Sequence, residues 1–318
     1  MKKKLYLFAA VALMLTLAAC GAAEEKESVY AVGICQLAQH EALDLATEGF
    51  VDALNEALPG QVSFDLENAS NELAACSGIV NQFVAAEVDL ILANATPALQ
   101  VASAATVDIP ILSTSVTEYG VAMGIEDFDG LVGGNVSGTS DLAPLDQQAA
   151  MILEWFPQAK KIGLLYCSSE ANSRYQVDHI REELEKLGCT CTEYPFTDSN
   201  DLSAVTEGAA ANSDVIYVPT DNTIASNAAI IDNVCFVAGV PVMGGDRGIC
   251  ASCGVAALSI SYYDLGVATG KMAARILTGE AEISALPVEY AEAEKVYNPA
   301  ICERLGLTAP QGYTALSE

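Results

Sequence analysis

The feature that most constrains this chain is a strand–helix alternation that occurs twice. The first copy contains the apolar strands VYAVGICQL, VDLILANA and IPILSTSVT, and the second contains KKIGLLYC, SDVIYVP and VPVMGG. Three residue pairs correspond at similar offsets of 130, 125 and 131 positions: Gly33 with Gly163, Asp89 with Asp214, and Pro110 with Pro241. Alternating strands and helices predict a parallel sheet covered on both faces. Their repetition in the same order predicts two equivalent lobes.

We therefore predict an α/β fold of two Rossmann-like lobes joined by hinge crossovers. Lobe one is predicted to comprise residues 29–138 and about 260–287, and lobe two residues 139–259 and about 288–318. The Gly/Ser-rich segment GGNVSGTSDLAP between them has the composition of a linker. The surplus strand and helix after the second copy indicate that the chain crosses back to lobe one and then returns.

The first 20 residues predict an export signal with a lipidation site. Lys2 to Lys4 precede an apolar run from Leu5 to Leu17, which is shorter than the roughly 20 residues of a membrane span. The tetrad LAAC resembles a bacterial lipobox and places Cys20 at the cleavage site. We expect residues 1–19 to be a signal peptide, Cys20 to carry the lipid, and residues 20–28 to form a tether. An ordinary signal peptide with an incidental cysteine is the alternative.

The balance of charge excludes several classes of partner. The chain has 14 Lys and Arg against 42 Asp and Glu, and its net charge at pH 7 is −28. An acidic surface repels nucleic acid and anionic lipid headgroups. We expect no nucleic-acid partner, contact with the membrane through the lipid anchor only, and a monomer.

The cysteines predict neither a complete disulfide set nor a metal centre. Ten are present, and without Cys20 nine remain, an odd number. The pairs in CTC and CASC have the composition of a four-cysteine zinc site, but the predicted layout places them near opposite edges of one sheet. A redox pair or local disulfide in CASC stays an alternative. We expect no cofactor and no metal, and interpret most thiols as small apolar filler.

Short polar segments follow the strands of both lobes. They are CQLAQH, NATPA and STSVT in lobe one, and CSSEANS, PTDN and GGDRG in lobe two. Ligands of open parallel sheets bind beyond the carboxyl ends of the strands. Two facing sheets would bring these segments to one cleft, which is the predicted ligand site.

Several segments also carry a family resemblance. GICQLAQHEALDLATEGF, ANATPALQ, YVPTDNTIAS and ISYYDLGVATGKMAARILTGE resemble substrate-binding lipoproteins of bacterial ABC importers, within the group assigned to tryptophan, tyrosine and related amino acids. The resemblance extends over nearly all of residues 29 to 310. It implies a type I periplasmic-binding fold, no catalysis, and an ABC permease with its ATPase as partners. YCSSEANS departs from the Asn-Pro that usually follows this strand in the family.

A free amino acid makes two demands on such a cleft, because burying either of its charges unpaired costs several kcal/mol. For the carboxylate, the donors are the Thr96 hydroxyl and the backbone N–H groups of a helix predicted to have Thr96 as its N-cap and Pro97 as its first residue, with Ser115 and Thr117 at the end of the next strand.

For the ammonium group, the candidates are Asp221 and Asp246. Plain helix capping is the alternative role for Thr96 and Asp221. Further candidate contacts are Gln36, His40, Asn172, Ser173, Asn222 and Tyr262. Tyrosines near strand ends are candidates to stack on an aromatic ligand: Tyr119, Tyr166, Tyr262 and Tyr263.

The favoured interpretation is an extracytoplasmic, lipid-anchored binding protein that captures an amino acid, most simply an aromatic one, and delivers it to the permease. A binding lipoprotein for a nucleoside or sugar is the alternative, although Arg247 is the one arginine in the predicted cleft loops. An enzyme using Cys167 or Cys35 with His40 or His179 is the remaining alternative. The sequence contains no Gly-rich phosphate loop and no metal-ligand spacing to support it.

Overall fold

The structure is a computed structural model that describes residues 29–316. The predicted signal peptide, Cys20 and tether lie outside the described residues. Between residues 29 and 316, no helix is both long enough and apolar enough to cross a membrane.

The strands and helices follow the predicted alternation. The strands are β1 (Tyr30–Gln36), β2 (Val62–Asn68), β3 (Leu90–Asn94), β4 (Ile111–Val116), β5 (Val136–Ser140), β6 (Lys161–Cys167), β7 (Thr190–Phe196), β8 (Val215–Val218), β9 (Val242–Gly244), β10 (Ala256–Ser259), β11 (Glu289–Tyr290), β12 (Glu294–Tyr297) and β13 (Thr314–Ala315). The helices are α1 (Glu41–Ala57), α2 (Leu73–Ala85), α3 (Thr96–Ala105), α4 (Tyr119–Met123), α5 (Leu145–Trp155), α6 (Ala171–Lys186), α7 (Leu202–Asn212), α8 (Asn222–Ala225), α9 (Ala228–Ala238), α10 (Arg247–Ser252), α11 (Tyr262–Leu277) and α12 (Pro299–Leu305), with a 3-10 turn at Ile283–Ala285.

The strands form two sheets, one for each lobe. The first has the order β11-β5-β4-β3-β1-β2, and all of its pairs are parallel. The second has the order β13-β12-β10-β9-β8-β6-β7, and its one antiparallel pair is β10 with β12. Strand β3 is buried along its whole length and is apolar from Leu90 to Ala93, because helices cover both faces of the sheet. The predicted fold of two helix-flanked sheets, mainly parallel, is confirmed.

The chain passes between the sheets three times. It leaves the first sheet after β5, returns after β10 through α11, and leaves again after β11 to enter β12. The first sheet thus includes strand residues up to Ser140 and at 289–290, slightly beyond the predicted lobe-one limits at 138 and 287. These three connections correspond to the predicted crossovers between the lobes, and their role as hinges stays a prediction.

The interpretation of GGNVSGTSDLAP as a linker is wrong for its central residues, which form the buried strand β5. Small residues are needed there for close packing. A Cβ atom on Gly138 would lie 2.0 Å from the carbonyl oxygen of Ser113 on β4, and the φ angle of Gly138 is +154°. The crossover itself is therefore confined to residues 141–144, between β5 and α5.

Helix α11 lies against α1 of lobe one at very short range. Three glycines at this contact leave no room for a side chain: a Cβ atom on Gly49 would lie 2.1 Å from the Tyr263 carbonyl oxygen, one on Gly266 would lie 2.0 Å from that of Ala46, and one on Gly270 would lie 2.6 Å from that of Phe50. The close approach fixes the helix that follows the second crossover onto lobe one.

This contact predicts a large effect of a single methyl group. Gly266→Ala should lower the free energy of unfolding by about 1–3 kcal/mol, because the helices must separate to admit the Cβ atom. Gly78→Ala in α2 is the matched control, since a Cβ atom there meets nothing within 4 Å. Alanine in an open helical position should raise stability by about 0.5–1 kcal/mol. Urea unfolding of both variants measures the difference, and equal stabilities would contradict the proposed contact.

Candidate ligand-binding site

The carboxyl ends of the strands in both sheets face each other across the gap between the lobes. The crossovers join the sheets near β5, β11, β10 and β12, so the opposite edges, β2 and β7, flank the mouth of the gap. Deep in the gap lies the inner cleft, which encloses about 10 Å³, roughly the space of one water. It is lined by His40, Ala42, Leu43, Ser115, Thr117, Asp141, Asn172, Thr220, Asp221, Asn222, Ala225, Asp246 and Tyr262.

A larger space, the mouth cavity, lies outward of the inner cleft and has a volume of about 650 Å³. Its walls come from both lobes and include Leu37 to Gln39, Pro97 and Gln100 on one side, and Ser169, Glu170 and Thr223 on the other. The inner cleft and the mouth cavity adjoin where Asn222 and Thr223 follow each other in the chain.

Two residues at the cleft-facing ends of β3 and β4 have backbone conformations that side chains rarely adopt. Ala95 has a φ angle of 92° and Ser115 one of 56°. Ser115 also lies within the register shift between Ser113 and Val116, where β4 bulges against β5. Bulges and positive φ angles at non-glycine residues each cost energy and concentrate at binding sites, where they direct a side chain or backbone group.

The hydroxyl groups of Thr96 and Ser115 are buried and have no hydrogen-bond partner in the described chain. The prediction that Thr96 is an N-cap is wrong, because the helix begins at Thr96 itself and the capping position is taken by Ala95. Pro97 is the second residue of the helix, one position later than predicted, and still lies in the first turn. The Thr96 hydroxyl is therefore not used in capping, and Thr96 is buried beside the inner cleft without being one of its lining residues.

Asp141, which the sequence analysis did not single out, is a buried carboxylate on the first crossover. Its Oδ2 accepts a hydrogen bond of 2.8 Å from the Tyr262 hydroxyl, while its Oδ1 is buried without a partner in the described residues. Burial raises the pKa of Asp141 above its usual range, and the bond from Tyr262 partly offsets this. Asp141 falls in the segment interpreted as a linker, which is why its sequence context did not reveal it.

Asp246 lines the same cleft from lobe two. It is the N-cap of α10, where its Oδ1 accepts the Ile249 N–H at 2.9 Å. Burial raises its pKa to about 7, and the charges of Asp141 and Glu41 add to that effect. Among the lining residues of the inner cleft none is a lysine or arginine. Arg247, expected in a cleft loop, lies in a separate cavity beside the hinge and is 3.8 Å from Glu294.

Asp221 is held within lobe two by three hydrogen bonds. Its carboxylate accepts from Cys167 N at 2.7 Å, from Ser173 Oγ at 2.8 Å and from Ile224 N at 2.9 Å as the N-cap of α8. Burial, followed by the nearby charge of Glu170, raises its pKa well above the usual range. These contacts favour the capping alternative for Asp221 and give Ser173 the role of its support.

His40 crosses the gap between the lobes. Its Nε2 lies 3.4 Å from the Asn222 side-chain oxygen, and burial lowers the pKa of the imidazole, which favours the neutral ring. Asn172 lines the cleft beside them; its Nδ2 donates to the Thr220 carbonyl at 2.9 Å, and its Oδ1 is buried without a partner among residues 29–316. Thr117 completes the lobe-one lining.

Gln36 and three of the four candidate tyrosines do not reach the inner cleft. The Gln36 amide is used inside lobe one, bonded to Ala38, Asp44 and Thr47. Tyr119 is buried against Ser113 and Thr139, Tyr166 pairs with Glu193 and Arg174 on lobe two, and Tyr263 donates to Asp52 on α1. Tyr166 lies on β6, whereas Tyr119 and Tyr263 lie in the first turns of α4 and α11, and the chain pattern did not indicate which way these side chains point. Tyr262 alone of the four lines the cleft.

Comparison with known proteins decides the family. The family model described as ABC transporter substrate binding protein matches residues 31–316. A tyrosine-binding protein of Clostridioides difficile is 35% identical over 263 residues, which cover 81% of this chain and 75% of that protein. This chain belongs to the ABC transporter substrate-binding proteins.

Two solved structures allow the lobe arrangement of this chain to be compared with a ligand-bound and a ligand-free relative. The substrate-binding protein matches the ABC domain in complex with L-Trp from Streptococcus pneumonia with a TM-score of 0.86 at 32% identity, covering 91% of this chain and 100% of that one. It also matches the ligand-free, open structure of a Clostridium difficile substrate-binding protein that has adhesive properties. The TM-score is 0.69 at 35% identity, and the match covers 91% of this chain and 99% of that one. The lower score at the higher identity indicates that the lobes here are arranged differently from those of the open protein.

Family membership also decides between binding and catalysis. The family comprises substrate-binding proteins, so the prediction that this chain is not an enzyme is confirmed. The thiol of Cys167 contacts Ser169 and the Thr197 carbonyl rather than a histidine, and burial raises its pKa. Among the described residues, no group of three or more His, Cys, Asp or Glu is arranged to hold a metal.

The raised pKa of Asp246 predicts how stability depends on pH. A carboxyl whose folded pKa lies above its unfolded value costs stability progressively as pH rises through that window. A rise from 3.8 to about 7 corresponds to at most about 4 kcal/mol. Asp246→Asn keeps an efficient N-cap. The free energy of unfolding of the variant, relative to that of the wild type, should therefore increase as the pH rises from 4 to 7. This difference should stay constant above pH 7.5. Urea unfolding at four pH values measures the gain, and a pH-independent difference would contradict it.

Proposed function

We propose that this substrate-binding protein captures a free amino acid, with tryptophan and tyrosine as the first candidates, between its lobes and delivers it to an ABC permease for import. The observation that carries the proposal is a buried cleft whose lining contains no lysine or arginine but includes Asp246 and Asp141, and the Oδ1 of Asp141 has no partner among the described residues. Buried carboxylates need a compensating positive charge. The ammonium group of an amino acid supplies it.

The α-carboxylate of an amino acid has complementary hydrogen-bond donors in lobe one. The unpartnered hydroxyls of Thr96 and Ser115 lie at the ends of β3 and β4, and the first turn of α3 adds free backbone N–H groups. These are neutral donors for an α-carboxylate. Sugars and nucleosides carry no ammonium group and would leave the aspartates without compensation, which disfavours the alternative ligands.

Entry of an amino acid requires the lobes to separate. The inner cleft has space for about one water in the arrangement described, so the lobes must move apart and the cleft must widen to admit a ligand. The three crossovers between the sheets are suited to hinge motion of this kind. An aromatic side chain is supported by the tyrosine-binding relative and by the L-Trp complex of the structural relative, at 35% and 32% identity.

The cleft carboxylates predict which substitution weakens binding. Asp141→Asn should weaken binding of L-tryptophan or L-tyrosine at least about tenfold, because a charge-assisted bond to the ammonium is lost, and tenfold is only ~1.4 kcal/mol. Asp146→Asn is the matched control: it removes the same charge from an exposed position five residues along the chain. Thr96→Val should weaken binding less, since the backbone donors remain. Calorimetry with tryptophan, tyrosine, phenylalanine, glucose and adenosine measures all variants. Tight binding of the sugar or nucleoside by the wild type, with no amino acid bound, would refute the assignment.

We also propose that the protein is lipid-anchored through Cys20 at the extracytoplasmic face of the cell membrane, on the basis of the LAAC motif after an apolar run. Cys20→Ala should release the protein from the membrane fraction or block its maturation. Cys191→Ala, in β7 of lobe two, is the control and should stay in the membrane fraction. Cell fractionation with immunodetection compares the two variants. Unchanged membrane retention of Cys20→Ala would show that the anchor is elsewhere.

A further inference from the structure

Two hydrogen bonds between side chains cross the gap near the mouth. His40 on lobe one meets the Asn222 side-chain oxygen at 3.4 Å, and Asn71 Nδ2 donates to Thr223 Oγ1 at 3.1 Å. The two lobe-two partners are consecutive residues at the start of α8. We call these two bonds the interlobe latch.

Both lobe-two partners are held by one carboxylate, that of Glu170. Its Oε2 accepts from Asn222 N at 3.0 Å and from Asn222 Nδ2 at 2.7 Å. Its Oε1 accepts from Thr223 N and from Thr223 Oγ1, both at 2.8 Å. Glu170 is only 4% exposed, and its hydrogen-bond partners are N–H and O–H groups rather than a lysine or arginine.

This arrangement fixes the direction of each bond in the latch. A carboxylate can only accept, so Asn222 must present its NH2 group to Glu170 and its oxygen to His40. Thr223 has one hydroxyl proton and donates it to Glu170, which leaves only lone pairs for the other lobe. Lobe two therefore offers two acceptors, and closure requires that His40 and Asn71 donate.

Asn71 is held ready for that role by its own loop. Ser70 and Asn71 have φ angles of 53° and 63°, and Asn71 N donates to the Leu37 carbonyl at 2.7 Å. An Asx turn, in which Asn68 Oδ1 accepts from Ser70 N at 2.8 Å, supports this conformation. The left-handed backbone aims the Asn71 amide across the mouth.

We propose that Glu170 is the positioning residue of the interlobe latch: by holding Asn222 and Thr223 as acceptors, it sets how long the closed lobes retain the ligand. Glu170 acts through those two residues and is absent from the lining of the inner cleft. The proposal rests on the proposed function for its ligand. Contacts made after closure act mainly on the dissociation rate.

The test uses L-tryptophan and L-tyrosine and measures association and dissociation rates on immobilised protein. Glu170→Gln is isosteric but introduces an NH2 group that faces donors. It should raise the dissociation rate about tenfold and change the association rate by less than about threefold. Glu182→Gln, an exposed carboxylate on α6, is the matched control and should leave both rates unchanged. An unchanged dissociation rate in Glu170→Gln would overturn the proposal.

A double variant separates positioning from a general loss of structure. Asn71→Asp alone should also speed release, because two acceptors would then face each other. Added to Glu170→Gln, it should have no further effect, since the latch is already lost. Effects that multiply would show that Glu170 acts independently of the latch and would overturn the proposal.

Two further measurements keep the test decisive. If Glu170→Gln does not fold, Thr223→Ser should release the ligand at the rate of the wild type, and Thr223→Val should release it faster. Equal release rates for the two variants would overturn the latch.

If the wild type binds neither amino acid, the proposed function fails and the latch is measured without ligand. Small-angle scattering should then show a larger radius of gyration for Asn71→Asp than for Glu182→Gln, and equal radii would overturn the latch.

Discussion

Parallel pairing is the constraint from which the rest of this structure follows. It brings the carboxyl end of every neighbouring strand to the same edge of its sheet, and the helices that follow begin at that edge with unsatisfied N–H groups. When two such edges face each other, those groups become buried. Capping carboxylates accept hydrogen bonds from some of these N–H groups, as Asp221 does at α8 and Asp246 at α10. The acidity of the cleft is thus a consequence of the topology as well as of ligand chemistry.

Not every polar group at this junction is satisfied within the protein. Asp141 Oδ1, Thr96 Oγ1 and Ser115 Oγ are buried without partners among the described residues, and each such group costs roughly 1–3 kcal/mol. The positive φ angles of Ala95 and Ser115 add to this cost at the same edge. Buried unpartnered groups favour separation of the lobes, which lets water reach them, whereas a ligand that meets both donors and acceptors favours closure. Under the proposed function, binding and closure are coupled in this way.

Much of this could be predicted from the sequence because local pattern determines it. Strand and helix alternation gave the two sheets, and segments at strand ends contained Ser115, Asn172, Asn222 and Asp246 of the cleft lining. Asp141 was missed because its Gly/Ser-rich neighbours indicate a linker, whereas the small residues serve close packing against β4. The direction of a tyrosine side chain, and the partners of a carboxylate far along the chain, depend on tertiary contacts that no local pattern contains.

Five acids near the gap illustrate how tertiary contacts divide one chemistry into several roles. Glu170 and Asp221 have their oxygens occupied by N–H and O–H donors of lobe two, so they order α8 and its neighbours. Asp246 caps a helix but keeps a raised pKa, and Asp141 has one oxygen without a partner. Glu41, in the first turn of α1, acts on Asp246 through the electrostatic field of its charge. The number of donors that each carboxylate already has decides whether it can attract a cation. Charge alone therefore does not select candidate binding residues in so acidic a protein; the unfilled hydrogen-bonding capacity of each acid does.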